Sequence, residues 1–129
     1  MKRRTFFKGL LGGFGALAAG RALSAERREV LIQESPVAGF QFYEGDFIWP
    51  SLEVGKGLTL VREPDNIHDF NSVAVYFKTE QLGYVPRAEN TAVAQMLDRG
   101  EHLEASISKL KAADNPWDRV RFNVLLTAA

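Results

Sequence analysis

The 129-residue chain contains no cysteine, which excludes disulfides, thiolate metal sites, a cysteine nucleophile and the cysteine-borne anchor of a lipoprotein. Histidine is almost as scarce, with His68 and His102 in different stretches. A histidine-based metal site would need Asp65 and Asp69 to complete it, so no metal and no other cofactor is expected. There is no P-loop, no internal repeat and no low-complexity tract. The hydrophobic fraction of 46% and the charged fraction of 25% are ordinary for a globular domain and single out no function. The length leaves room for one domain and a short appendage.

The appendage is N-terminal. Lys2, Arg3, Arg4 and Lys8 form a basic start, followed by a mild apolar run from Gly9 to Gly20 that is too short and too rich in glycine to span a bilayer stably. Small residues at Ala22, Ser24 and Ala25 offer a signal-peptidase site after Ser24 or Ala25. Arg3-Arg4-Thr5-Phe6-Phe7-Lys8 resembles the twin-arginine export signal. Residues 1–25 are therefore expected to be a signal peptide and 26–129 an exported, periplasmic domain that meets the membrane only during export. Five of the 16 basic residues and none of the 16 acidic ones lie in residues 1–25, so the remainder carries 11 basic and 16 acidic residues, a net charge of −5. Sequence-independent binding to a nucleic-acid duplex normally uses a basic face. Any nucleic-acid contact on this domain must then be local, in a pocket.

Beyond residue 25 the pattern alternates between short apolar runs and turn residues. Val30–Gln33, Val37–Tyr43, Leu58–Val61, Ser72–Phe77, Leu82–Val85, Leu103–Leu110 and Val120–Leu126 read as strands. In the second run Val37, Gly39, Gln41 and Tyr43 would face one way, opposite Ala38, Phe40, Phe42 and Glu44. In the run from Leu103, Ala105, Ile107 and Lys109 would share a face. Phe47–Pro50 with Leu52 reads as an apolar connector. From Arg87 to Arg99 the period becomes helical, with a stripe of Ala92, Val93, Met96 and Leu97, and Gly100 ends it. Six or seven short strands, one clear helix and no βαβ alternation predict a small closed or partly open β-barrel plugged by a helix.

One segment departs from this plan. Arg62, Glu63, Asp65, Asn66, His68, Asp69 and Asn71 crowd a polar loop between two strands. Hairpin loops usually need only about two to five residues. Its Asx residues can simply shape the turn by bonding their own backbone, or they can present donors and acceptors to a ligand.

Three ordered blocks, Val37–Gly45, Leu60–Val75 and Leu82–Arg87, resemble the HIRAN domain, and the resemblance covers roughly Val30 to Leu126. It implies a mainly β fold with one or two helices, a small OB/SH3-like β-barrel of about six strands. It also implies a non-catalytic module that captures the 3′ end of single-stranded DNA through aromatic stacking and an aspartate that accepts a hydrogen bond from the terminal 3′-hydroxyl. By that pattern Asp69 is the hydroxyl acceptor and Asn66 lies near the terminal phosphate. His68 and Phe42 stand where relatives carry stacking tyrosines, and Gln41 replaces a phosphate-binding arginine. Tyr84 and Arg87 fall in the backbone-contacting group, Arg62 adds charge, and Trp117 supplies a late aromatic. Phe42 keeps a stacking face, and a protonated His68 would pair with a phosphate. Arg62 would otherwise pair internally with Glu63 or Asp69, and Trp117 would otherwise cover the barrel as a loop lid. Acid-anhydride hydrolysis belongs to helicases fused to such modules and is not expected here. The alternative is an exported partner-binding or structural module without DNA binding; a small hydrolase or metal-binding protein is a weaker one.

Overall fold

The computed structural model describes residues 28–128, so the predicted signal peptide lies outside the described residues. Val30–Thr127 form one compact unit. Its strands are β1 (Arg28–Pro36), β2 (Gly57–Arg62), β3 (Val73–Phe77), β4 (Glu80–Tyr84), β5 (Leu103–Leu110) and β6 (Val120–Ala128). Two short helices, α1 (Gly45–Ile48) and α2 (Thr91–Asp98), complete it. The strands form a single sheet in the order β1-β6-β5-β2-β3-β4. The β2–β3, β2–β5, β3–β4 and β5–β6 pairs are all antiparallel.

The sheet takes the partly open form of the expected barrel, with β1 and β4 as its edges. The chain leaving β1 reaches across between them. Val37 donates its N–H to the Val120 carbonyl at 3.1 Å, and Ala38 exchanges backbone hydrogen bonds of 2.8 and 2.9 Å with Tyr84. Gly83 permits that approach, because a Cβ there would collide with the Ala38 carbonyl and the Val37 side chain.

The core runs along the inner face of the sheet, where Val73, Val75, Leu82, Ile107, Phe122 and Val124 are buried. Burying each such side chain contributes roughly 1.5–3 kcal/mol. Helix α2 packs on this core through Val93, Ala94 and Leu97. The apolar stripe is thus rotated from the one predicted, and Ala92 is exposed. Gly100 does end the helix: its N–H donates to the Leu97 carbonyl and that of Glu101 to the Met96 carbonyl, the paired bonds that satisfy the last orphan carbonyls.

Three expectations change. Val37–Tyr43 is not a strand: after Ala38 the chain turns at Gly39, which has φ 78°, into a 3₁₀ turn at Phe40–Phe42. Phe40 becomes the core residue at 1% exposure while Phe42 is 77% exposed, so strand alternation does not sort these rings. The connector at Phe47–Pro50 is helical, α1 followed by a 3₁₀ turn at Trp49–Ser51. Finally, a bulge between Ile107 and Lys109 takes Lys109 off the core-facing row. Leu110 packs on the core instead.

Candidate functional site

The loop between β2 and β3 is a ladder of turns. Glu63, Asn66 and Asp69 each accept, at the backbone carbonyl, the N–H of the residue three positions on, namely Asn66, Asp69 and Ser72, at 3.0–3.2 Å. A further bond from the Glu63 N–H to the Ser72 carbonyl closes the base at 3.0 Å. Two side chains brace the corners. Asn66 Oδ1 accepts the His68 N–H at 2.9 Å, and Asp69 Oδ1 accepts the Asn71 N–H at 3.0 Å. These are the Asx bonds that short polar side chains make two residues onward. Shaping the turn and presenting a site therefore fall to the same residues.

Behind the loop the polar groups bond to one another. Asn66 Nδ2 donates to Glu63 Oε1 and to Ser72 Oγ, and the Tyr84 hydroxyl donates to the same Glu63 oxygen at 2.9 Å. Burial first, and then this carboxylate, push the Tyr84 hydroxyl up to about 12; a neutral phenol is kept because the anion would sit half-buried beside another negative charge. Asn90 Nδ2 donates to Asp69 Oδ2 at 2.8 Å. Asn90 is 2% exposed and stands at the start of α2, where asparagine usually caps the helix. Here it makes no side-chain cap bond and holds the aspartate instead.

These elements line a cleft of about 380 Å³ whose walls include Tyr43, Asn66, His68, Asp69, Tyr84 and Arg87. The Tyr43 and Tyr84 rings meet edge to face with centroids 5.8 Å apart. Five of the residues singled out from sequence, Asn66, His68, Asp69, Tyr84 and Arg87, come together here. Asp69 keeps free acceptor capacity, since an ionised carboxylate offers about four lone-pair sites and two are taken. Arg87 has no ion pair among the described residues.

The other four residues lie elsewhere. Gln41 and Phe42 occupy the exposed 3₁₀ turn beside Tyr43 and do not line the cleft. Arg62 is half-buried and committed: Nε and Nη2 grip the Asp98 carboxylate at 3.0 and 3.2 Å, and Nη1 donates to the Ser72 carbonyl. Its partner is thus neither Glu63 nor Asp69, and its charge is tied down on α2. Trp117 lines a separate cleft with Lys109, Lys111 and Arg121, in a 3₁₀ turn (Pro116–Asp118) that packs against the Phe40–Phe42 turn. Sequence reasoning did not nominate Tyr43 or Asn90. Tyr43 was hidden by the false strand, and Asn90 carries only the signature of an ordinary cap. Among the described residues no cluster of three or more histidine, aspartate or glutamate side chains is placed to hold a metal ion.

Residues 30–128 match the family model of the HIRAN domain. The chain belongs to the HIRAN domain family. Two solved structures share the fold. A protein from Lactobacillus plantarum is 24% identical with a TM-score of 0.67, covering 80% of this chain and 99% of that one. The HIRAN domain of human HLTF is 20% identical with a TM-score of 0.61, covering 78% of this chain and 79% of that one. No curated protein matches the chain significantly. As a HIRAN domain the protein is a nucleic-acid-binding module, and the loop ladder and its cleft lie within the matched residues.

Proposed function

We propose that this HIRAN domain holds the 3′-hydroxyl end of a single nucleic-acid strand in the Asp69 cleft, without catalysis, after export to the periplasm. The observation that carries this is the state of Asp69. Asn71 and Asn90 hold its carboxylate, so it meets the cleft already oriented and with acceptor capacity left. A hydroxyl donor suits that wall. A terminal phosphate would bring up to two negative charges next to Asp69 and the nearby Glu63. The Tyr43, Tyr84 and His68 rings border the same space, and Arg87 supplies a cation for a backbone phosphate.

The test is titration of the chain with labelled single strands ending in 3′-hydroxyl or 3′-phosphate, at low and moderate salt. Tighter binding of the hydroxyl end, lost in Asp69→Ala, is the expected outcome. Equal affinity for the two ends would sink end capture. A second reading, a module that docks a protein partner, is favoured by Ile67 and Phe70, which stand 82% and 70% exposed on the loop. Failure to bind either strand even at low salt would leave that one standing. Export is tested separately: replacing Arg3 and Arg4 together by lysine should strand the protein in the cytoplasm, and unaltered export would refute the twin-arginine route.

A further inference from the structure

Between Val30 and Thr127 there are nine lysines and arginines, and most are already engaged. Arg62, Arg99, Arg119 and Arg121 form ion pairs with Asp98, Glu101, Asp46 and Glu34. Lys56 and Lys78 lie over the Phe77 ring, 5.9 and 5.4 Å from its centre. Within residues 30–127 that leaves Arg87, Lys109 and Lys111 outside such ion pairs and ring contacts. Arg87 is at the Asp69 cleft, and both lysines line the second cleft, of about 410 Å³, with Leu110, Trp117, Asp118 and Arg121. Within residues 30–127 the cations outside such pairs thus lie at two clefts.

The second cleft also holds like charges against their mutual repulsion. The bulge after Ile107 sets Lys109 directly opposite Arg121 across β5 and β6, a placement that is unfavourable by itself. Lys111 follows two residues on, at the end of β5, with its N–H on the Arg119 carbonyl at 2.9 Å. Glu34 offsets part of this cluster: it meets Arg121 at 3.4 Å and also lies in the field of Lys109, while accepting the Ser108 hydroxyl at 2.7 Å. The one acidic side chain lining the cleft is Asp118. Trp117, 45% exposed, gives this basic cleft a flat apolar wall. Cations flanking an exposed ring make the chemistry of a single-strand track, in which phosphates meet charge and bases stack. The turn that carries Trp117 packs against the turn that carries Gln41 and Phe42, which in turn precedes Tyr43 of the Asp69 cleft.

We propose that Lys109, Lys111 and Trp117 form a second phosphodiester subsite, which holds the strand upstream of the end seated at Asp69. This extends the end-capture function proposed above and has its own readout, the dependence of affinity on strand length. The experiment compares a trinucleotide and a dodecanucleotide, both with 3′-hydroxyl ends, binding to the full chain and to a Lys109→Gln, Lys111→Gln double variant between about 50 and 200 mM salt. Both lysines are exposed, so the variant should fold, and a circular-dichroism melt checks that it does. The dodecanucleotide should bind the variant more weakly, with a log-log salt slope smaller by about 1.4, because each phosphate contact on a single strand contributes about 0.7. Trinucleotide affinity and hydroxyl preference should not change. An unchanged dodecanucleotide slope, an equal loss for both lengths, or no binding of either strand would overturn the subsite. If wild type showed no hydroxyl preference but kept the lysine-dependent length effect, end capture would fail and the subsite would stand.

Discussion

The two clefts of this small domain are built on opposite principles. Around Asp69 most polar side chains already hold one another: Asn90 holds Asp69, Tyr84 holds Glu63, and Asn66 holds Glu63 and Ser72. Around Trp117 two lysines have no ion pair among the described residues, and the strand register forces Lys109 against Arg121. A prebonded wall selects by geometry, because a ligand must match acceptors that cannot move to meet it. Loose cations attract any phosphate chain and discriminate little. On the proposed reading specificity and reach are thereby separated in space, on a domain whose net charge beyond residue 25 is −5.

Substitutions can break this contrast selectively. The largest effect is expected at Gly83, where any side chain meets the Ala38 backbone that ties the first cleft to β4. Gly83→Val should cost about 3 kcal/mol or prevent folding altogether, as measured by urea denaturation; a near-neutral result would mean the Ala38–Tyr84 bridge is dispensable. Next is Asn90→Ala, which leaves Asp69 Oδ2 without its buried donor. A loss of about 1–3 kcal/mol in stability is expected, with a fall in hydroxyl preference and no change in the salt slope. Retained preference would show that Asp69 needs no support from α2.

Phe42→Ala sharpens the contrast by removing an exposed ring lying between the clefts. Stability should hold, whereas strand affinity should fall by about 1–3 kcal/mol if a base stacks there; unchanged anisotropy titrations would remove Phe42 from the interface. The smallest effect is on pH dependence. Tyr84 ionises at about 12 in the folded state, above the ordinary tyrosine value of about 10. The folded state therefore keeps its proton longer than the unfolded chain, and the associated stability, complete below pH 10, is lost as pH rises towards 12. Denaturation curves across that window should show a decline that Tyr84→Phe reduces; an identical decline in the variant would assign it to other groups.

Much of the sheet was legible because β2, β3, β5 and β6 carry β-branched and apolar residues in runs bounded by glycine, proline and charge. The errors arose where a local pattern met a tertiary demand. Val37–Tyr43 has the composition of a strand, but Gly39 turns it so that Phe40 can enter the core and pack edge to face on Trp49 with centroids 6.1 Å apart. Lys109 fits an alternating row until the bulge places Leu110 over the core. Arg62 resembles a ligand cation in the loop, yet the register of β2 brings it to Asp98 of α2, distant in sequence.

The same division applies to the loop itself. Its unusual length, its crowd of Asx residues and their position between two strands are properties of sequence, because turn chemistry is local and each side chain bonds a backbone within a few residues. Together with the blocks Val37–Gly45 and Leu82–Arg87, those residues also carried the resemblance to the family. Only the tertiary structure decided that Asn90 would brace Asp69, that Arg62 would be withdrawn from the cleft, and that two lysines would be left facing a tryptophan. Those outcomes depend on which distant segments the sheet brings together, and a charge or a hydrogen bond is committed only when its partner arrives.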